Sequence, residues 1–290
     1  MGREIANNVA AGKQLFAATH SPQFLMGCLS AGAKVNVVRL ARRGAKAIAN
    51  LLDSDTLDAM MSDPMLRSSN VLAGLFYNAA VVVEGDSDRS FYEEINLRLG
   101  YVGRGIKHPL FINAHGKQTA PVIAQTLRNA GVPSAIVLDL DWLKEDGVVQ
   151  KKYFEGTGLP VQARTSAAAA RSQTRLDLEA TGRNYKRDGG IELLTGDAKA
   201  AANDFLDLMD KYGLFTVRRG EVEAWLSELN IPRAKQGWLE HVFSEMGSDR
   251  SSSTFVMKTF GSSSARLQIG YLILFVRGCR PDASFENAYW

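Results

Sequence analysis

Cysteine is scarce in this sequence. Only Cys28 and Cys279 occur in 290 residues, and neither stands in a CxxC or Cys/His pattern. Because disulfide frameworks and structural zinc sites need closely spaced ligands, this spacing argues against both. The pattern is what a protein of the reducing cytoplasm shows.

Long apolar runs and charge of one sign are also missing. No uninterrupted apolar segment approaches the roughly 20 residues that span a bilayer, and the N-terminus lacks the basic-then-apolar order of a signal peptide. The 34 basic and 31 acidic side chains nearly balance, so charge alone does not demand a polyanionic partner. The 46% hydrophobic content can form a genuine core. We therefore expect a soluble, cytoplasmic, globular protein of one large or two small domains, with no membrane contact.

Strand and helix patterns alternate in the middle of the chain. Ala79–Val83 is continuously apolar, which is typical of a strand buried on both faces. Phe91, Ile95 and Leu99 then recur every four residues and predict an amphipathic helix. Further strands are predicted at 109–113, 135–138 and 213–217, and a helix at 117–129. This order predicts an α/β fold with a mainly parallel sheet flanked by helices.

The segments on either side have weaker patterns. Residues 15–18 are apolar and predict a short strand, followed by a polar turn and a helix through Phe24 and Leu29. We predict a second strand at 34–40 and a mixed helical stretch at 45–77. Residues 143–211 show helical spacing with little strand character, so we interpret them as a helical insertion.

Two acidic motifs follow two of the predicted buried strands. Glu84 and Asp88 flank a glycine-containing turn, and Asp139 and Asp141 alternate across Leu140 so that both can project from one side of a strand. Parallel sheets place their ligand and catalytic groups at the carboxyl ends of the strands. We therefore expect these four carboxylates to converge.

Such a cluster repels itself unless protons or cations neutralise it. Oxygen ligands favour hard divalent cations such as Mg²⁺ or Mn²⁺. Two such ions can activate water and stabilise the leaving oxygen in phosphodiester hydrolysis, without a Ser, His or Cys nucleophile. A metal site that acts on phosphodiesters is therefore consistent with these residues.

The same residues resemble a known domain. The segment 81–88, Val-Val-Val-Glu-Gly-Asp-Ser-Asp, resembles the opening of a Toprim domain, and Asp139-Leu140-Asp141 resembles its DxD motif. Glu-Gly-x-Ser-Asp before an aromatic helix, together with Asn-Ala-His-Gly-Lys at 113–117, is similar to OLD (overcoming lysogenization defect) family endonucleases. The resemblance covers most of residues 15–260. It implies a Toprim, Rossmann-like fold and an endonuclease that nicks or cleaves DNA with two Mg²⁺ or Mn²⁺ ions, for which Ca²⁺ would be an inactive mimic.

The resemblance also implies further site residues. A later acidic ligand of the family is matched by Gly220-Glu221-Val222-Glu223, in which Glu223 is the better match and Glu221 the alternative. A late basic residue near the scissile phosphate is matched by Lys258, with Lys235 in reserve. The implied metal ligands are thus Glu84, Asp88, Asp139, Asp141 and Glu223, with Glu221 as a further candidate.

Three residues beside the motifs are candidate substrate contacts. His115 and Lys117 either contact a phosphate or cap the following helix. Arg89 either contacts DNA or pairs with Asp86 or Glu93 on the surface. We interpret Trp142 as a packing residue.

The N-terminal segment resembles another module. Ala17–Pro22, which includes His20, is similar to the switch-histidine segment of an ABC-type ATPase domain, and OLD proteins join an ATPase to a Toprim domain in this order. No Gly-x-x-x-x-Gly-Lys-[Ser/Thr] loop precedes His20, so we expect no ATP hydrolysis by this chain and ATP only in a longer parent. The predicted division is 1–72, ATPase remnant and connecting helices; 73–142, first part of the Toprim core; 143–211, helical insertion; and 212–290, Toprim completion and C-terminal helices.

The family resemblance implies partners as well. Its members act in bacterial or phage defence, some with a helicase partner, and a longer parent would dimerise through its ATPase domain whereas this fragment would be a monomer. An alternative function is a DNA-binding regulatory Toprim module with little activity, gated by the missing ATPase. A topoisomerase would need a tyrosine nucleophile in a separate domain, and a primase would need additional modules.

Simpler interpretations of the two acidic motifs also exist. Ser87 or Asp88 can cap the helix that contains Phe91. Asp139 and Asp141 can form a solvated strand end or the DxD motif of a sugar-nucleotide transferase.

Overall fold

A four-stranded parallel sheet lies at the centre of the structure, a computed structural model that describes residues 1–9, 13–43, 45–225 and 237–249. Its strands are β3 (Ala79–Val83), β4 (Pro109–Asn113), β5 (Ser134–Asp139) and β6 (Leu214–Val217), in the order β4-β3-β5-β6. Every neighbouring pair is parallel. The predicted α/β class with a parallel sheet is confirmed.

Helices surround this sheet. Their bounds are α1 Gly2–Asn8, α2 Pro22–Ser30, α3 Ser54–Ser62, α4 Pro64–Ser68, α5 Asp86–Tyr101, α6 Ala120–Asn129, α7 Gly147–Gly156, α8 Val161–Ala180, α9 Gly196–Lys211, α10 Val222–Trp225 and α11 Gly237–Met246. Short 3₁₀ helices span Val71–Phe76, Leu140–Lys144 and Gly190–Leu193. Helices α7, α8 and α9 lie in the segment for which the sequence predicts a helical insertion; the division into domains itself stays a prediction.

The sheet is apolar on both faces because helices cover both. Val82 points into a core shared with Leu127 of α6, whereas Val81 and Val83 point into a second core with Phe91 of α5. All residues of β3 are buried, which explains why its sequence is a continuous apolar run rather than an alternating one. Each side chain of the strand fills one of the two cores.

An antiparallel hairpin precedes the parallel sheet. Its strands are β1 (Val37–Arg43) and β2 (Lys46–Leu52). Arg39 of β1 is buried and donates hydrogen bonds to the backbone carbonyls of Leu75 at 3.0 Å, Gly131 at 2.9 Å and Tyr77 at 2.8 Å. These charge-assisted bonds attach the hairpin to the segments that flank β3 and β5.

One N-terminal prediction is wrong, and another holds for part of its length. Residues 15–18 form no strand, and the side chains of Leu15 and Phe16 are 56% and 90% exposed. A short apolar run becomes a strand only where another strand pairs with it, and no described strand pairs with this one. The mixed helical stretch predicted at 45–77 is helical from Ser54 onward, in α3, α4 and a 3₁₀ helix, but it begins with β2, which pairs along its full length with β1. The predicted helix after the polar turn is present as α2, with the Ser21 side chain accepting a hydrogen bond from the Phe24 backbone amide at 3.2 Å.

Among the described residues, none of the helices combines the length and the hydropathy needed to span a bilayer.

Candidate metal centre

The predicted motifs meet at the carboxyl edge of the sheet. Glu84 follows β3, and its carbonyl oxygen accepts a hydrogen bond from the backbone amide of Gly116, which follows β4, at 3.0 Å. The backbone amide of Leu140, after β5, donates to the carbonyl oxygen of Gly220, after β6, at 2.8 Å. These contacts join the end of β3 to that of β4 and the end of β5 to that of β6.

Three carboxylates form the centre of this edge. Glu84, Asp139 and Asp141 each offer an oxygen atom, and these atoms lie within 4.8 Å of one another. Among the described residues, none donates a hydrogen bond to Oδ1 of Asp141, although this atom is buried. A buried acceptor without a donor costs about 1–3 kcal/mol, which a cation at that position would remove. An all-oxygen donor set with such an atom fits a hard divalent cation.

Asp139 and Asp141 converge in a different way from the one predicted. Strand β5 ends at Asp139, and Asp141 lies on the 3₁₀ helix Leu140–Lys144, so the two residues do not alternate along one strand. The turn of this helix brings the second carboxylate back over the strand end. Trp142 fixes the turn, since its indole is fully buried and its Nε1 donates to Thr216 Oγ1 at 2.9 Å. This agrees with the packing role predicted for Trp142.

Asp88 lies beside the three carboxylates but has a second role. Its Oδ2 accepts a hydrogen bond from the Gly85 backbone amide at 3.0 Å in the first turn of α5, which is the capping arrangement that the sequence left open. Burial is the main reason that the pKa of Asp88 is raised to about 6, and the nearby charges of Glu84 and Glu223 contribute to this rise. Asp88 is therefore close enough to the central carboxylates for the charge of Glu84 to raise its pKa.

The later acidic residues reach the same edge. Glu223 is half-buried on α10, and its charge raises the pKa of Asp88. Glu221 is buried in the preceding loop. Among the described residues, neither is one of the carboxylates whose oxygens meet within 4.8 Å. The Gly-Glu-Val-Glu segment is thus near the three central carboxylates rather than among them.

Asp139, one of the three central carboxyls, has a raised pKa. Its pKa is raised to about 7, mainly by burial; the ammonium of Lys186 opposes the rise, and the charges of Asp88 and Glu84 contribute to it. A raised carboxyl pKa within a cluster of like charges indicates a site that needs a cation to keep all of its carboxylates ionised.

Lys186 is a site residue that the sequence analysis missed. Its Nζ lies 3.0 Å from Asp139 Oδ2 and 3.4 Å from Asp141 Oδ2. Burial alone would lower the pKa of Lys186, but the two aspartates outweigh this effect and raise it. The residue lies in the predicted insertion, in a turn that ends in Gly189 and Gly190, both with positive φ. That glycine pair was the one available signal of a tight turn, and nothing local connects it with the DxD motif.

Lys117 approaches Asp141 from another loop. Its Nζ lies 3.1 Å from Asp141 Oδ2 and 3.4 Å from Glu145 Oε1. The sequence left phosphate contact and helix capping open for this residue; in the structure its ammonium pairs with the acidic centre.

The other candidate residues lie farther out or outside the described residues. His115 is exposed, with a φ of 54° and its backbone amide bonded to Asn113 Oδ1 at 2.7 Å. Arg89 forms a surface ion pair with Asp86 at 3.2 Å, one of the two pairings predicted. Lys258 and Lys235 lie outside the described residues.

The fold and the acidic edge together define a Toprim-type α/β domain. Residues 75–141 match the family model described as the TOPRIM domain of overcoming lysogenization defect protein-like proteins. This segment is therefore similar to the Toprim domain of OLD-like proteins, which confirms the predicted resemblance. It contains Glu84, Asp88, Asp139 and Asp141.

Two solved structures were also found to be similar. Both are of the C-terminal region of the Xanthomonas campestris pv. campestris OLD protein. The one phased with iodine has 13% identity and a TM-score of 0.32, and the match covers 70% of this chain and 95% of that one. The one phased with platinum has 12% identity and a TM-score of 0.28, with 69% and 83% covered. No curated protein sequence matches the chain.

Proposed function

We propose that this chain is a divalent-metal-dependent endonuclease that nicks or cleaves DNA. The observation that carries the proposal is the convergence of Glu84, Asp139 and Asp141, whose carboxylate oxygens lie within 4.8 Å of one another. They follow two adjacent parallel strands, where α/β enzymes bind ligands. The match of residues 75–141 to an OLD-like Toprim domain supports the same function.

The acidic residues would share the metal ions between them. One cation would be held by Glu84, Asp139 and Asp141. The candidates for holding a second are Asp88 and Glu223, with Glu221 as a further candidate. When bound, Mg²⁺ or Mn²⁺ would supply an activated water and would neutralise charge on the phosphate. The protein's part is to place all these oxygens at one edge of a rigid sheet.

A basic side chain of the protein fixes the orientation of an acidic residue at this edge. Lys117, held between Asp141 and Glu145, keeps the Asp141 carboxylate in one orientation. Tyr153 fixes the loop that carries Lys117, because its hydroxyl donates to the Lys117 carbonyl oxygen at 2.8 Å. The late basic residue that would face the phosphate, Lys258 by resemblance, remains a prediction.

One observation favours a second function. Lys186 and Lys117 already neutralise part of the charge on Asp139 and Asp141. Acidic residues whose charge is partly neutralised by lysines can stay close together without a metal ion. A DNA-binding regulatory Toprim module with little activity would require such a centre. This candidate predicts DNA binding without cleavage.

Plasmid cleavage distinguishes the two functions. Supercoiled DNA would be incubated with the protein and Mg²⁺, Mn²⁺ or EDTA, beside the Asp139→Asn/Asp141→Asn variant. The matched control is Asp58→Asn/Asp204→Asn, which removes the same charge from exposed helix positions. We expect metal-dependent nicking that the control retains and the site variant loses by at least about 100-fold, since the ligands act in every turnover.

Other outcomes contradict the nuclease. Equal nicking by the site variant would place the activity elsewhere. Absence of nicking by a protein that still binds the plasmid would favour the regulatory module.

A further inference from the structure

Lys186 lies where a divalent cation would bind. Its ammonium is 3.0 Å from Asp139 Oδ2 and 3.4 Å from Asp141 Oδ2. Mg²⁺ binds carboxylate oxygens at about 2.0–2.1 Å and repels a neighbouring ammonium. The ammonium of Lys186 therefore competes with any divalent cation that both aspartates bind, because the two would occupy the same space.

The surroundings of Lys186 allow it to leave. Its side chain is 29% exposed, so water adjoins the position of its ammonium. Lysine has a flexible four-carbon stem and makes no planar, two-pronged contact that would fix its direction. The backbone of its turn, in contrast, is closely packed: a Cβ added at Gly190 would meet the Arg218 carbonyl oxygen at 2.0 Å. The side chain can move while the turn stays in place.

The aspartates need a nearby cation when both are ionised. Asp139 is among the largely buried carboxyls of the centre, next to Glu84 and Asp141. Ionised carboxylates this close repel one another, and the repulsion would separate them or keep one protonated. An ammonium bonded to both aspartates holds them close together before any metal arrives.

We propose that Lys186 is a positioning residue of the metal centre, which bridges Asp139 and Asp141 in the metal-free protein and is displaced from them by a divalent cation. The inference rests on the proposed metal site. It assigns the predicted insertion a direct part in that site, because the insertion carries the cation that the metal replaces.

Mn²⁺ affinity, measured by electron paramagnetic resonance without DNA, tests the exchange. The proteins are the wild type, Lys186→Met, Lys186→Arg and Lys199→Met, the last being a lysine on α9 paired with Glu192. We expect Lys186→Met to bind Mn²⁺ about tenfold more tightly, because the competing charge is gone. Lys199→Met should remain close to the wild type. Lys186→Arg keeps the competing charge on a side chain that can pair with a carboxylate through two N–H groups, so it should bind Mn²⁺ no more tightly than the wild type. The same Lys186→Met variant should melt at a lower temperature in EDTA, and Mn²⁺ should raise its melting temperature more than that of the wild type.

A labelling experiment on the wild type does not depend on the folding of a variant. An amine-reactive reagent is applied in EDTA or Mn²⁺, and the modification of Lys186 and Lys199 is followed by mass spectrometry of peptides. We expect Lys186 to react several-fold faster with Mn²⁺ and Lys199 to react equally in both.

The failures are distinguishable. Unchanged or weaker Mn²⁺ binding by a folded Lys186→Met variant, or equal labelling of Lys186 in both conditions, overturns the inference alone. Absence of Mn²⁺ binding by the wild type, or equal binding by Asp139→Asn/Asp141→Asn, overturns the proposed metal site and the inference with it.

Discussion

Asp141 is the residue at which the contacts of the centre converge. Its Oδ2 lies 3.1 Å from the ammonium of Lys117 and 3.4 Å from that of Lys186. Among the described residues, its buried Oδ1 accepts no hydrogen bond. The two oxygens of one carboxylate are therefore in different situations: one is neutralised by the chain, and the other is left for a ligand.

The raised pKa values of Asp139, about 7, and Asp88, about 6, predict how stability depends on pH. Both lie above the ordinary value for aspartate because burial favours the neutral form. The stability contributed by the protonated carboxyls is full below about pH 4 and is lost as the pH rises through 6 to 7. In EDTA, the midpoint of urea unfolding should therefore fall between pH 5 and pH 8.

Asp139→Asn should reduce this fall, and Asp58→Asn, at an exposed position on α3, should not. A wild-type midpoint that rises from pH 5 to pH 8 would contradict the raised pKa values.

The sequence predicts the acidic half of the site and misses the basic half. Glu84 and Asp139 were predictable because each follows a buried strand directly, so local pattern and strand direction suffice. Lys186 follows Asp141 at a separation of 45 residues. Its approach depends on how α8 and the turn after it pack, which no local pattern specifies.

At the scale of the elements, local patterns predict strands of the parallel sheet, whereas they do not predict strand β2 of the hairpin. Continuous apolar runs predict β3 and β5 because helices bury both faces of these strands. Strand β2 has no such run, since most of its side chains are exposed or only partly buried. It is a strand because β1 pairs with it, and pairing between segments is not visible in the composition of either one.

Arg39 attaches this hairpin to the sheet, and its removal should release it. Arg39→Met leaves the carbonyl oxygens of Leu75, Tyr77 and Gly131 without their donor. Buried acceptors that lose a charged donor should lower the free energy of unfolding by about 2–4 kcal/mol in total. The measurement is urea denaturation together with hydrogen exchange of the amides of β1 and β2.

Lys46→Met, at an exposed position of β2, is the control and should change stability by less than about 0.5 kcal/mol. Equal exchange of the hairpin amides in Arg39→Met and wild type would show that other contacts hold the hairpin.

At the scale of the whole molecule, strand order decides where the acidic motifs meet. From β3 the chain passes through α5 to β4 on one side, then through α6 to β5 on the other side of β3. Helix α5 packs on one face of the sheet and α6 on the other. This reversal creates a crevice at the carboxyl ends of β3 and β5, the position at which open α/β sheets bind their ligands. Glu84 directly follows β3 and Asp139 is the last residue of β5, so the topology itself brings the acidic motifs together.

Because this crevice joins distant segments of the chain, a cation bound there should stabilise the whole fold. A ligand that binds only the folded state adds about 2.7 kcal/mol at a concentration 100 times its Kd. Mn²⁺ should therefore raise the melting temperature of the wild type, and the rise should follow the logarithm of its concentration above Kd. Asp139→Asn/Asp141→Asn should show no such rise, whereas Asp58→Asn/Asp204→Asn should match the wild type. A similar rise in all three proteins would mean that Mn²⁺ acts on the general surface, and the crevice between β3 and β5 would then lose its claim to be the metal centre.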